Sequence, residues 1–296
     1  MERRRLVAEG LLLLAAGIWG FAFVAQRIGM QHVGPFLFNA VRFALGSLVL
    51  VPVIRWRRVP IPACGAIVRG SLAAGAILFG GASLQQVGII STTAGKAGFI
   101  TGLYVVLVPL CGPLLGRRSA PSTWLGAGTA AVGLYLLSVE PDFTIGPGDA
   151  LVLVGAFFWT AHVLVIDRLV TRLDWAALAC GQFAVCAVLS LAVALLTEPF
   201  QAAGLKDAAG AVFYGGVLSV GVAYTLQVAA QRHTPPAHAA ILLSLETVFA
   251  ALGGWLILDE GLTPRALGGC GLMLLGTVIA QLGTSTRSPL QPSPSP

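Results

Sequence analysis

The sequence is short of charge. Aspartate and glutamate number 12 and lysine and arginine 18 among 296 residues, so charged side chains make up 10% of the chain. A water-soluble domain carries about a quarter. So few ionic groups cannot coat a surface of this size against water, and lipid must be the solvent for much of it. Long polar stretches are missing too, and no gap between apolar runs has room for a soluble domain. The five cysteines, Cys64, Cys111, Cys180, Cys186 and Cys270, form no close metal-ligand pair and no even disulfide set. Most lie inside apolar runs, where cysteine serves as a small hydrophobe. The four histidines, His32, His162, His233 and His238, are scattered, with no HExxH, no Gly-x-Ser-x-Gly and no phosphate-binding loop beside them. The usual constellations of a membrane-embedded enzyme are thereby excluded, and no metal or cofactor is called for. The net charge of +6 falls in short segments between apolar runs. It therefore speaks for orientation in a membrane and against a nucleic-acid partner.

What the chain has in abundance is hydrophobicity, with 56% hydrophobic residues and a mean hydropathy of +0.87. A membrane-spanning helix needs about 20 mostly apolar residues. Segments of that kind run over Ala8–Ile28, Phe36–Ile54, Gly70–Ile90, Ala94–Leu115, Ser122–Val139, Asp149–Leu169, Trp175–Thr197, Ala209–Gln231, Pro236–Leu258 and Pro264–Gly283. The pattern predicts an all-α integral membrane protein with ten transmembrane helices. The first run is longer than the roughly 7–15 residues of a signal-peptide core, and is read as a retained helix. The Pro/Ser-rich tail, 285–296, is expected to be a disordered cytoplasmic segment.

With the amino terminus in the cytoplasm, Arg3, Arg4, Arg5, Arg55, Arg57, Arg58, Arg69, Arg117, Arg118, Arg168, Arg172, Arg232 and Arg287 all fall on that side. Only Arg27, Lys96, Lys206 and Arg265 fall outside, with Arg42 inside the second segment. The positive-inside rule then puts both termini in the cytoplasm. The acidic loop Glu140–Asp149 suits the opposite face.

The chain also repeats itself. A shift of 142 aligns Leu84-Gln85 with Leu226-Gln227, Thr92 with Thr234, Ala97 with Ala239, Leu103 with Leu245, and Gly112 with Gly254. A shift of 140 pairs Trp19 with Trp159. Each half, 8–139 and 149–284, holds five segments, an odd number, so the halves must lie in opposite orientations. Inverted repeats of this kind are a transporter architecture whose substrate site lies near the midplane between the halves.

Polar residues within the apolar runs are the site candidates, because a charge at the bilayer centre costs about 2.5–3.5 kcal/mol on insertion scales. Glu246 lies ten residues into the ninth segment, roughly 15 Å along a helix. It is read as a proton-accepting or cation-binding group, against the alternative of a carboxyl that pins neighbouring helices. His238 lies eight positions earlier on the same stripe. Lys96 and Tyr104 are the counterparts of His238 and Glu246 in the first half, so both stripes are expected to face one cavity. His238 and Lys96 also lie near helix ends, where an interface histidine and a snorkelling lysine are the plainer accounts. Arg42, one turn after Asn39, can meet an anionic group, pair with Glu246, or snorkel. His162 is deep in the sixth segment, one turn from Trp159, and either titrates or packs. Gln85 and Gln86 in the third segment, and Tyr224, Gln227 and Gln231 in the eighth, add neutral polar groups. Converging with Trp19, Gln26 and Trp159 they suit an amphipathic ligand, and otherwise join helices to one another.

The stretch Leu243-Ser-Leu-Glu246-Thr-Val-Phe249 through Trp255, Glu260 and Thr263, followed by Leu267-Gly-Gly, resembles the ninth-to-tenth-helix signature of the EamA family, within the drug/metabolite transporter (DMT) superfamily. Thr92-Thr-Ala-Gly-Lys96-Ala-Gly-Phe-Ile-Thr-Gly resembles its fourth-helix pattern. Gly17-Ile-Trp19-Gly-Phe and Arg42-Phe are also typical. The chain departs from the pattern at Thr247, where proline is usual, and at Asp259, where glycine is usual. The resemblance implies ten helices as two inverted five-helix repeats around a central cavity, working by alternating access. It further implies export of a small-molecule substrate, an amino acid, related metabolite or toxic compound, across a bacterial inner membrane. Glu246, read above as proton-accepting, makes a proton the candidate coupling partner, with an amphipathic-cation exporter or an uncoupled channel as the alternatives.

Overall fold

The computed structural model describes residues 2–57, 65–92, 94–116, 119–138, 145–199, 202–258 and 261–282. Cys64, Arg58, Arg117, Arg118, Glu140, Asp259, Glu260 and the tail 285–296 lie outside the described residues. Within them every regular element is helical. In chain order these are α1 (Glu2–Gly29), α2 (Pro35–Trp56), α3 (Gly65–Gly88), α4 (Ala94–Gly102), α5 (Tyr104–Cys111) and a 3₁₀ turn (Gly112–Leu115). Next come α6 (Pro121–Ser138), α7 (Pro147–Leu169), α8 (Trp175–Thr197), α9 (Ala202–Asp207) and α10 (Ala209–Phe213). A π-helix (Tyr214–Tyr224) is followed by α11 (Thr225–Ala230), α12 (Pro236–Leu243), α13 (Glu246–Leu258) and α14 (Pro264–Leu282). Eight of the helices among the described residues are long and apolar enough to cross a membrane, counting α4 with α5, α10 through α11, and α12 with α13 as single spans. Helix α6 and the shorter apolar helix α14 pack on one another.

The helix ends follow from local chemistry. Proline stands at the first helical position of α2, α6, α7, α12 and α14, where its missing N–H costs nothing. Asp174 caps α8, its Oδ1 accepting from Ala176 N at 2.9 Å and Ala177 N at 3.0 Å. The start of α2 is capped from far along the chain: both carboxylate oxygens of Glu198 accept, from Phe36 N at 2.8 Å and Leu37 N at 2.9 Å. Helix α1 begins at Glu2, six residues before the apolar run, because Arg5 Nε reaches Glu9 Oε1 at 2.8 Å one turn on and carries the helix through the basic segment.

The distribution of polarity is that of a protein in lipid. Large apolar side chains such as Leu48, Leu72, Leu125, Val188, Leu195, Leu196 and Leu267 are exposed, while Gln26, Asn39, Arg42, Gln86, His162, Gln182, Gln227 and Glu246 are buried. Backbone in hydrocarbon must bond to itself, and helices do so. With no hydrophobic drive between helices in lipid, close backbone approach takes over. Helices α6 and α14 meet antiparallel at two such points. A Cβ at Gly133 would lie 2.5 Å from the carbonyl oxygen of Gly269, and one at Gly126 would lie 2.6 Å from that of Gly276. Gly269→Leu is therefore expected to destabilise the protein by about 1–3 kcal/mol. Gly128→Leu, on the same α6 but with nothing within 4 Å of its Cβ, should be neutral. Thermal unfolding of the two variants in detergent measures the difference.

Three of the expected spans are not continuous α-helices. The fourth breaks at Leu103 and the ninth at Ser244–Leu245. In both, the ladder tightens to three-residue bonds, Leu103 N to Ile100 O and Leu245 N to Leu242 O, each 3.3 Å. Leu103 and Leu245 are partners under the 142-residue shift. The eighth span instead opens into the 11-residue π-helix.

Candidate functional site

The two helix breaks meet in the middle of the protein. Tyr104 is the first residue of α5 and Glu246 the first of α13. Tyr104 OH donates to Glu246 Oε1 at 3.0 Å across 142 residues of chain. Each side chain is thus bonded to its own counterpart in the other half. Beside this pair lies a narrow cavity of about 40 Å³, room for about three waters. Its wall is built by Trp19, Ala22, Phe23 and Gln26 of α1, Arg42 of α2, Gln85 of α3, Thr101 and Tyr104, and Trp159, His162 and Val163 of α7. Ser219 and Tyr224 of the π-helix, Gln227 of α11, Leu243 and Glu246 complete it.

The aromatic side of the wall is held tightly. Tyr224, the last residue of the π-helix, tilts against Trp19 with ring centroids 4.5 Å apart and stacks on Trp159 at 6.2 Å. His162 and Phe183 approach it edge-on at 6.1 and 5.9 Å. Trp19 Nε1 donates to the carbonyl oxygen of Ser219 at 3.1 Å, and Tyr214 OH to that of Ile18 at 2.9 Å, so the middle of α1 is fixed to the start and the middle of the π-helix. The polar side is a relay of amides. Gln85 Oε1 accepts from Trp159 Nε1 at 3.0 Å, and Gln85 Nε2 donates to Gln26 Oε1 at 3.2 Å. His162 Nε2 lies 2.8 Å from Gln182 Oε1.

Arg42 is 2% exposed. Its Nε donates to Asn39 Oδ1 at 2.9 Å, and its guanidinium lies over the Phe43 ring, 4.8 Å from the centroid. It forms no ion pair with Glu246 or with any other carboxylate of the described residues. The pairing of Arg42 with Glu246 considered from the sequence is therefore not made.

Lys96 and His238, expected to share the cavity with Tyr104 and Glu246, lie instead at opposite ends of the molecule. Eight helical residues span about 12 Å, enough to carry each from the centre to a mouth. Lys96 Nζ is 3.9 Å from Asp149 Oδ2, and Thr92 donates to Asp149 Oδ1. This cluster, with Arg27, borders a cleft of about 460 Å³. His238 Nε2 is 3.2 Å from Thr123 Oγ1, beside a cleft of about 600 Å³ that is also lined by Asp167, Gln231, Arg232, His233 and Thr234. At this second mouth Thr234 Oγ1 and His238 Nδ1 have no hydrogen-bond partner among the described residues. Gln86 is buried in the third span away from the cavity wall, with both amide atoms unpartnered among the described residues.

Of the polar residues singled out from sequence, the cavity thus gathers Trp19, Gln26, Arg42, Gln85, Tyr104, Trp159, His162, Tyr224, Gln227 and Glu246. It leaves out Gln86, Lys96, Gln231 and His238. Thr101, Ser219, Asp149 and Glu9 were not singled out. For Asp149 and Glu9 a signal existed: the shift of 140 that pairs Trp19 with Trp159 also pairs Glu9 with Asp149, the second residue of one half and the first of the other. Thr101 and Ser219 carried none, since single hydroxyls are common in apolar helices.

Comparison with known proteins agrees with this architecture. The chain is 33% identical over 290 residues to an uncharacterized transporter of Archaeoglobus fulgidus, covering 94% of this chain and 87% of the relative. It is 28% identical over 309 residues to the threonine/homoserine exporter RhtA of Escherichia coli, covering 93% and 90%. Against the uncharacterized inner membrane transporter YedA of Escherichia coli it is 23% identical, covering 95% and 92%. A solved crystal structure superposes with a TM-score of 0.80 at 20% identity, over 95% of this chain and 99% of the other, a likeness of fold. The profile of the EamA-like transporter family matches twice, at residues 6–139 and 146–281. A multi-pass membrane protein whose family profile fits each half in turn, this chain belongs to the EamA-like transporter family of the drug/metabolite transporter superfamily.

Proposed function

We propose that the protein is a secondary transporter that moves small metabolites, amino acids or related compounds, out of the cell by alternating access. In this reading ten helices form two inverted five-helix repeats, 8–139 and 149–284, around the central cavity. Both termini lie in the cytoplasm and the tail 285–296 trails there as a disordered segment. The observation that carries it is the Tyr104–Glu246 hydrogen bond, made between counterpart residues at counterpart helix breaks. Discontinuous helices meeting at a repeat interface are where transporters bind substrate. The exporter named among the relatives supports the direction and the substrate class.

The two mouth clusters supply the closures. Thr92, Lys96 and Asp149 are bonded together at one end. Their counterparts Thr234, His238 and Glu9 lie at the other, where Thr234 and one nitrogen of His238 are unpartnered among the described residues. Rocking of the halves would exchange which cluster is closed. A second reading, an exporter of amphipathic cations, is favoured by the stacked aromatic wall of Trp19, Trp159 and Tyr224.

Counterflow in proteoliposomes tests transport: an outward gradient of unlabelled substrate should drive transient accumulation of label, which an uncoupled channel cannot do. For the topology, reporter fusions at residue 1 and residue 296 are expected to report the same, cytoplasmic, side. A fusion in the Glu140–Asp149 loop should report the opposite one.

A further inference from the structure

The central cavity is lined by one basic and one acidic side chain that do not pair with each other. Arg42 enters from α2 and Glu246 from the start of α13, so they belong to different halves of the chain. Arg42 uses Nε on Asn39, and its terminal nitrogens donate to no described residue. Glu246 uses Oε1 on Tyr104, and its Oε2 has no described partner. Both side chains are almost completely buried, at 2% and 4% exposure. A charge held out of water without a counter-charge is costly, so a ligand that brings the opposite charge to either of these two side chains removes a penalty on ionising it at the cavity wall. The rest of the lining is aromatic rings, amides, hydroxyls, apolar side chains and the imidazole of His162, with no further carboxylate, lysine or arginine among the described residues.

Resting on the transport reading above, we propose that this cavity is a bipolar site for a zwitterion: Arg42 takes the carboxylate of an α-amino acid and Glu246 its ammonium group. Net charge selects among ligand classes. A zwitterion offers each of the two side chains an opposite charge and adds no net charge. A lone cation would satisfy Glu246 but place a second positive charge in the cavity with Arg42. A dicarboxylate would meet Arg42 and be repelled by Glu246. The guanidinium can bind a carboxylate through two parallel N–H donors, a geometry that lysine lacks. The empty cavity holds about 40 Å³, so the ligand must displace water and spread the walls. The carbon skeleton would then lie against Trp19, Trp159 and Tyr224, whose faces accept small apolar or hydroxylated side chains without demanding one.

The test uses the full chain in proteoliposomes with three probes of one skeleton. These are L-threonine, its methyl ester, which keeps only the ammonium, and N-acetylthreonine, which keeps only the carboxylate. A pool of neutral amino acids and a panel of amphipathic cations are run in parallel. Wild type is expected to exchange L-threonine or the neutral pool at least about tenfold faster than either blocked form. Arg42→Met should lose the zwitterion about 100-fold and gain exchange of the methyl ester, which also shows that the variant is folded. Arg42→Lys should recover only part of the loss. Equal exchange of zwitterion and ester by wild type, or an Arg42→Met profile unchanged from wild type, would overturn the assignment. Counterflow of the cations without the amino acids would overturn the zwitterion site and leave the transport reading standing. Counterflow of neither panel would overturn both.

Discussion

Glu246→Gln is expected to lower counterflow about 100-fold while leaving the protein folded and monodisperse. Glutamine has the shape of glutamate, and its amide oxygen can still accept from Tyr104 OH at the 3.0 Å position now occupied by Oε1. What disappears is the group at the cavity wall that is able to carry a negative charge. Losing a hydrogen bond to a charged group costs about 1.5–3 kcal/mol, and each 1.4 kcal/mol is about tenfold. Tyr104→Phe removes one donor and keeps the carboxylate, so a fall of about tenfold is expected. The pH profile separates coupling from mere packing. Glutamine does not titrate in water, so any part of the wild-type pH dependence that runs through Glu246 should be absent from the variant. Counterflow measured across about pH 5 to 9 reads this directly. A Gln variant with the wild-type rate and the wild-type profile would take Glu246 out of the transport cycle.

The second large effect is expected from tying one mouth shut. Thr92 and Asp149 come from the segment before α4 and the first turn of α7 and are in hydrogen-bond contact. Lys96 Nζ is 3.9 Å from the same carboxylate, and Gly146 N donates to it at 2.9 Å. If the halves must part here in every cycle, a covalent tether should abolish transport altogether, and not merely slow it. In a chain with its five native cysteines replaced, Thr92→Cys with Asp149→Cys, joined by a short bifunctional thiol reagent, should fall to the rate of empty liposomes. With a bis-thiosulfonate as that reagent, which joins the two cysteines through disulfides, a thiol reductant should cleave the tether and restore exchange to the level of the untreated double variant. Each single-cysteine variant treated with the same reagent should keep its own untreated rate. Tethered protein that transports normally would mean that this mouth does not open in the cycle.

The polar residues of the site stood out in sequence for one reason, the cost of placing them in lipid. Arg42, His162 and Glu246 interrupt runs of apolar residues, and such interruptions persist only when they face protein or water. Periodicity took the argument one step further and then misled it. An eight-residue spacing put Lys96 with Tyr104 and His238 with Glu246, as an unbroken helix would. The breaks at Leu103 and Leu245 lie between the members of each pair, and the rise along the helix carries Lys96 and His238 to the two mouths. The Asp149 and Glu9 positions were readable only through the repeat, because an acid in the first turn of α7 is otherwise unremarkable and Glu9 lies one turn after Arg5, an ordinary helix ion pair. Tyr224 and Gln227 share a face at three-residue spacing and do reach the cavity together, yet Gln231, a turn further on, belongs to the second mouth.

By itself the sequence determined the solvent, the succession of apolar segments and their repetition, because hydropathy and offset identities are properties of the chain read in one dimension. Only the tertiary structure decided which polar groups meet. Tyr104 and Glu246 are 142 residues apart, and Trp19 and Ser219 are 200 apart, and nothing local encodes those contacts. The direction in which a side chain leaves its helix depends on how that helix is rotated and wound. In the eighth span an i→i+5 ladder widens the turns just before Tyr224, and so the packing of the helices, more than their composition, sets what faces the cavity.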